Sequence, residues 1–255
     1  IDASPDPELA LDLRGWKSSF TGQDIPVEQM RTWAEFTVAR ILDLRPRRVL
    51  EVGCGTGMLL ARIAPRVQSY RGTDLARHAV EQVAALRTRL PGLDNVLVTQ
   101  QPAHDRTGLS DALFDTVILN SVVQYFPSAE YLVDVIAGLL PLMPATGAVF
   151  LGDIRNLALL DTFHAAVEHA RTGGALTQRE LRQRMQRALL SDNELVLHPR
   201  FFTALQALFP QIVDVEISPK RGLYRNELSL FRYDVTLWIG TAPTEPIPVD
   251  WQDAE

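Results

Sequence analysis

Apolar residues fall along this chain in short runs, separated by longer stretches of helical period. Residues 49–53 (Val-Leu-Glu-Val-Gly) and 69–74 read as short strands that end in glycine or acid. Residues 95–99, 114–120 and 147–152 supply three more, and segments 57–65, 76–90 and 128–142 carry apolar positions at helical spacing. Alternation of this kind builds βαβ units, a parallel sheet with helices on both faces. Ligands in such sheets sit beyond the carboxyl ends of the strands, at the point where strand order reverses. The chemistry is therefore expected at 51–57, Asp74, 101–105, 120–125 and 153–156.

The flanks behave differently. Residues 24–43 read as a helix introduced by Asp24-Ile25-Pro26, and 157–171 continue the alternation. Two further helical patterns span 176–208, interrupted by Ser191-Asp192-Asn193 and by Pro199. Residues 212–218 and 228–239 then read as long strands, an antiparallel pair closing one sheet edge. The expected division is a linker and lid at 1–45, a core at 46–156 and a helical acceptor-site insertion at 157–210. Closing strands at 211–240 and a second linker at 241–255 complete it. Both ends are rich in Pro and acid, and the chain begins with Ile1, so a segment of a longer polypeptide is expected.

Composition narrows the partners. The 255 residues are 46% hydrophobic, enough for a sizeable core. A formal charge of −6 with no basic run argues against nucleic acid. A single cysteine permits no internal disulfide and fits a reducing cytoplasm. No apolar run approaches membrane-spanning length, so neither a membrane partner nor a secreted protein is expected.

One stretch carries more information than the rest: Glu51-Val-Gly53-Cys54-Gly55-Thr56-Gly57, followed by Gly72-Thr73-Asp74. Alternating glycines after a buried strand let the backbone approach a ligand, and a carboxylate 21 residues beyond Gly53 can grip ribose hydroxyls. A dinucleotide fingerprint needs glycine where Met58 stands, and no Lys follows to make a P-loop. Adenosine bound without pyrophosphate points to S-adenosylmethionine, with S-adenosylhomocysteine as product. Gly53, Gly55 and Gly57 would approach its methionine and ribose portions, and Glu51 would orient the loop or the amino group. Asp74 would take both ribose hydroxyls, Leu75 would lie on the adenine, and Ala103 would meet the adenine edge with His104 or Asp105. Asn120, Ser121 and Gln124 would lie beneath the methionine. Cys54 is read as packing and not as a nucleophile, and no metal is expected.

The glycine loop, Asp74 and Asn120-Ser-Val-Val-Gln-Tyr125-Phe-Pro-Ser resemble class I S-adenosylmethionine-dependent methyltransferases. Gly15-Trp16-Lys-Ser-Ser-Phe-Thr-Gly22, Met30-Arg-Thr-Trp33, Gly152-Asp-Ile-Arg155-Asn156, Tyr224-Arg-Asn-Glu227-Leu and Arg232-Tyr-Asp234-Val narrow the resemblance. They are similar to methyltransferase domains embedded in polyketide and nonribosomal peptide synthetases. The resemblance implies a Rossmann-like α/β fold: a seven-stranded, mostly parallel sheet with an antiparallel edge pair, an N-terminal helical lid and a helical insertion before the last two strands. It implies as partners an acyl carrier protein bearing a phosphopantetheine-tethered intermediate and the other domains of the same synthase.

Embedded carbon methyltransferases of this class are similar in using a His and a downstream Glu as a dyad. Here the pair would be His198 and Glu227, 29 residues apart. A neutral imidazole can take a hydroxyl or enol proton while a carboxylate fixes its tautomer. Tyr224, Asn226, Tyr125 and Asp153 are further acceptor-side candidates; Trp16, Phe20 and Trp33 read as lid packing. A base dyad suits oxygen methylation of a polyketide intermediate, with nitrogen methylation in a peptide synthetase as the alternative, then carbon methylation. A domain that binds the cofactor, or only the carrier protein, without catalysis and a standalone small-molecule methyltransferase are the remaining readings.

Overall fold

The computed structural model describes residues 13, 15–109 and 113–240; the linker-like ends at 1–12 and 241–255 lie outside the described residues. One seven-stranded sheet organises the chain. Its strands are β1 (Arg48–Val52), β2 (Ser69–Asp74), β3 (Val96–Gln100), β4 (Thr116–Asn120), β5 (Gly147–Arg155), β6 (Ile212–Pro219) and β7 (Arg232–Ile239), in the order β3-β2-β1-β4-β5-β7-β6. β1 to β5 pair in parallel, whereas β7 runs antiparallel to both β5 and β6. Strand order reverses between β1 and β4, so both loops leaving these strands open at the same crevice.

Eight helices complete the described residues: α1 (Val27–Asp43), α2 (Leu60–Ile63), α3 (Arg77–Arg89), α4 (Ala129–Leu139), α5 (Leu160–Thr172), α6 (Gln178–Ser191), α7 (Pro199–Leu208) and α8 (Glu227–Phe231). Successive residues of the central strands feed different apolar clusters. Leu50, Val117 and Val149 pack with α4 and α7, while Val49, Ile118 and Phe150 pack with α1, α2 and α3. Side chains alternate across a strand, so these clusters occupy the two faces of the sheet. A third, smaller cluster joins Ile25, Met30, Trp33 and Ala34 to Met58 and Leu228, with Trp16 against it.

Three boundaries differ from the periodicity. The 228–239 strand begins only at Arg232, because Asn226 caps a short helix instead: its Oδ1 accepts from Leu228 N and Ser229 N, both at 3.1 Å. The 57–65 helix shrinks to α2 and a 3₁₀ turn carrying Pro65. The 128–142 helix likewise passes into a 3₁₀ turn at Leu140–Leu142, around Pro141. None of the helices described is long and apolar enough to cross a membrane.

Candidate active site at the strand ends

The glycine loop is tied to the neighbouring strand. Gly53 N and Cys54 N both donate to Thr73 O, at 2.7 and 3.0 Å. Gly53 has φ +77°, and a Cβ there would stand 2.6 Å from Val122 Cγ2. Gly53→Ala is therefore expected to destabilise the domain by about 1–3 kcal/mol, read as a lower midpoint of thermal unfolding. At Gly55, φ +52°, an added Cβ would meet nothing within 4 Å, so this turn faces open space.

Asp74 closes the same turn. Its Oδ2 accepts from Gly55 N and its Oδ1 from Ala76 N, both at 2.8 Å. A carboxylate has about four lone-pair sites, so roughly two remain for ligand hydroxyls. Leu75 beside it is 70% exposed, an apolar face without a protein neighbour to cover it. Ala103, half-buried beyond β3, packs against the α4-side cluster.

Glu51 is buried at the end of β1, where Tyr70 donates its hydroxyl at 2.8 Å. Burial pushes this carboxyl from its ordinary 4.5 up to about 8, the Tyr70 hydrogen bond opposes the rise, and the nearby Asp74 charge adds to it. The folded chain thus keeps a proton that the unfolded chain has lost between about pH 4.5 and 8, so stability contributed here falls as pH rises through that window. Glu51→Gln is expected to flatten that part of the unfolding free energy against pH, measured by denaturant titration. Burial also drives the Cys54 thiol far up, followed by the charges of Glu51 and Asp74, which leaves it a packing residue.

Beyond β4 two buried acceptors have no hydrogen-bond partner, Asn120 Oδ1 and Gln124 Oε1. Buried polar atoms are ordinarily paired, so both are exceptions; Gln124 borders the strand-end cavity, whereas Asn120 Oδ1 lies against Gly152. Asn120 Nδ2 donates to Ser121 Oγ at 3.1 Å, and Ser121 Oγ donates to Asp153 Oδ2 at 2.9 Å. Ser121 and Asp153 both hold positive φ, 54° and 65°. Strain of this kind persists only where surroundings enforce it.

Here the enforcement is ionic. Asp153 is fully buried and paired with Arg232, with Lys220 Nζ 3.8 Å away and Trp33 Nε1 donating at 3.3 Å. Asp234 receives Lys220 at 3.1 Å, Arg40 at 2.7 Å and the Asp153 amide at 2.8 Å. Burial alone would raise the Asp153 carboxyl, but Arg232 and Lys220 outweigh it and hold it below the usual range. The cluster fastens α1 to β5 and β7. Asp153→Ala is expected to cost about 3–5 kcal/mol, because three cations, Arg40, Lys220 and Arg232, would be left facing the one remaining carboxylate, Asp234; chemical denaturation checks it.

A cavity of about 740 Å³ opens beside Ser121 and Gln124, walled by Trp16, Ser19, Arg155, Phe163, Glu194 and Glu227 among others. Glu227, first residue of α8, is 4% exposed. One oxygen accepts from Ser19 N; the other has only a 3.4 Å contact from Ser18 Oγ, which leaves it able to accept from a ligand. Arg155 forms two parallel bonds to Asp192, at 2.7 and 2.6 Å, and reaches Glu194 at 3.2 Å. His164 Nε2 stands 3.2 Å from Asp192 and the guanidinium lies 5.5 Å from the Phe163 ring centre. The turn after α6 is thereby clamped into the cavity wall. Sequence reasoning missed this clamp; Arg155 lay among the expected strand-end residues, but its partners are 37 and 39 positions away.

The expected His198–Glu227 dyad is not formed. His198 is exposed and outside the cavity, and its Nδ1 accepts from Arg200 N at 3.1 Å as the N-cap of α7. Pro199 at the first helical position fixes that arrangement. Asn226 is spent on capping α8 and on donating to Gln29 at 2.8 Å, so it positions Glu227 and does not face the cavity. Tyr224, half-buried, lines a separate shallow depression with Trp33 and Lys220. Tyr125, by contrast, does line the main cavity.

Residues 50–148 match the family model of a methyltransferase domain. The chain is 52% identical over 254 residues to chondramide synthase cmdD of Chondromyces crocatus, covering 99% of this chain and 6% of that protein. It is 42% identical over 237 residues to the nonribosomal peptide synthetase dtxS1 of Metarhizium robertsii, covering 92% of this chain and 3% of that one. Among solved structures, the N-methyltransferase NodS of Bradyrhizobium japonicum in complex with S-adenosyl-l-homocysteine superposes with a TM-score of 0.57 at 13% identity, over 82% of this chain and 88% of that one. The fold is thus that of the Rossmann-like class I methyltransferases. The chain has the class I methyltransferase fold with a methyltransferase-domain match at 50–148, and it is similar along nearly its whole length to segments of multidomain synthetases, spanning only a few per cent of the length of these relatives.

Proposed function

We propose that this domain transfers a methyl group from S-adenosylmethionine to the nitrogen of an aminoacyl group carried by a peptide synthetase. One observation carries the reading: a buried carboxylate, Glu227, stands in the wall of the strand-end cavity with one oxygen free to accept a hydrogen bond, and no imidazole beside it. Oxygen methylation, the sequence-based expectation, leaned on His198 as the base that an alcohol needs. An amine is nucleophilic once neutral, so it needs orientation more than a strong base. The synthetase relatives support a carrier-bound acceptor.

The donor fits the residues present. Glu51, Gly53, Gly55, Gly57, Asp74, Leu75 and Asn120 would hold it, and when bound it supplies an electrophilic methyl on a sulfonium. The open turn at Gly55 and the two Asp74 oxygens, each with acceptor capacity to spare, support that fit. This chain's own work is then positional. Glu227 accepts an N–H and turns the nitrogen lone pair toward the loop, Gln124 Oε1 takes a second N–H, and the aromatic walls of Trp16 and Phe163 exclude water.

Intact-mass analysis of carrier-bound aminoacyl, hydroxyacyl and ketoacyl groups incubated with S-adenosylmethionine tests the assignment. A gain of one methylene on the aminoacyl group alone is expected; a gain on the hydroxyacyl group alone would restore the oxygen reading.

A further inference from the structure

α6 ends at the cavity: Ser191, Asp192, Asn193 and Glu194 follow directly into its wall. None of its residues is fully buried. Leu181, Met185, Ala188 and Leu189 form a half-buried stripe at helical spacing, and α5 is the helix that α6 packs upon. The opposite face, at i, i+3, i+4, i+7, i+8 and i+11, consists of Arg179, Arg182, Gln183, Gln186, Arg187 and Leu190, all exposed. Leu190, nearest the cavity, is 88% exposed. The one acid at the edge of this face, Glu180 in the first turn, is held in a capping box with Thr177, so the arginines outnumber it three to one. Arg184 pairs with Glu168 at 3.4 Å, but Arg179, Arg182 and Arg187 have no carboxylate partner among the described residues. The chain as a whole carries −6, so a face of three arginines and a terminal leucine is a local reversal of its field. The arginines are interleaved with Gln, Leu and Met, and no basic run marks them in the sequence.

We propose that this face of α6 docks the acidic surface of a carrier domain, setting the root of its phosphopantetheine arm at Leu190 so that the arm enters the cavity past the Asp192–Glu194 turn. The inference rests on the carrier-bound acceptor argued above. Opposite charge would speed encounter, and the exposed leucine at the cavity end supplies the apolar contact that fixes orientation. Acidic carrier is the occupant that both the charge and the position select: the charge faces outward along the helix, and the helix leads to the cavity.

The test is binding, independent of turnover. The whole domain is titrated into a fluorescent, phosphopantetheinylated acidic peptidyl carrier domain at about 0.05 M and about 0.5 M salt, where screening differs severalfold. The variant R179E/R182E/R187E is expected to weaken binding at least about tenfold at low salt and to lose most of the salt dependence. A matched reversal of the exposed Arg66, Arg87 and Arg89 is expected to change it less than about threefold. Equal affinity of wild type and the α6 variant, no binding by wild type, or equal loss in the matched control each overturns the proposal. So does sedimentation showing that the α6 reversal abolishes self-association while carrier binding persists, which would assign the face to a second copy. Methylation of a free aminoacyl thioester, unchanged in the α6 variant, keeps failure of docking distinct from failure of the methyl-transfer reading.

Discussion

Glu227→Gln is expected to lower the turnover number for a carrier-bound aminoacyl acceptor about 10²–10³-fold, while His198→Ala stays within about twofold of wild type. The amide keeps the shape and can still accept from Ser19 N, so the fold should hold. What it loses is the charge that the proposed contact to an acceptor N–H relies on, and its own NH₂ would now oppose that donor. Because the donor's loop is untouched, affinity for S-adenosylhomocysteine should be unchanged in Glu227→Gln. His198→Ala should instead cost about 0.5–1 kcal/mol of stability through the lost cap of α7. Single-turnover kinetics with both variants decides the matter: a large loss in His198→Ala and none in Glu227→Gln would reverse the assignment.

Asp74→Ala should weaken binding of S-adenosylhomocysteine at least about 100-fold by calorimetry. Two kinds of interaction vanish together. Hydrogen bonds to a charged group are worth about 1.5–3 kcal/mol each, and every 1.4 kcal/mol is about tenfold in affinity. The second kind is internal: Asp74 receives Gly55 N and Ala76 N, so its removal also unties the glycine turn. Asp74→Asn separates the two, since an amide oxygen can keep one of those bonds but has lost the charge. Its affinity is expected to fall between those of wild type and Asp74→Ala. Binding by Asp74→Ala at wild-type strength would remove this carboxylate from the donor site.

The sheet was legible because its signals are local. Buried parallel strands such as 116–120 are continuous apolar runs, and the glycine turn and Asp74 sit where strand ends must put them. The acceptor wall was less legible. At 227–231 a capping box on Asn226 overrides an alternating pattern, a contest decided by two backbone bonds. His198 misled because an imidazole next to proline in an inserted segment looks the same whether it caps a helix or faces a cavity. Arg155 and Asp192, or Arg40 and Asp234, meet only after folding, and no spacing rule pairs residues 37 or 194 apart. Charge clusters of that kind are a property of the three-dimensional arrangement, and the sequence shows only their members.

The bond from Ser19 to Glu227 bears on how such a domain can be moved between synthetases. Glu227 is held by an amide more than 200 positions earlier, and Asp234 by Arg40 on α1. A cut placed on sequence periodicity alone, at the start of the first strand or of α1, would retain the whole glycine turn and still discard the amide that holds Glu227 in place. The transplanted piece would bind its donor and fail to present its acceptor. The working N-terminal junction therefore lies upstream of Gly15, outside the βαβ core altogether.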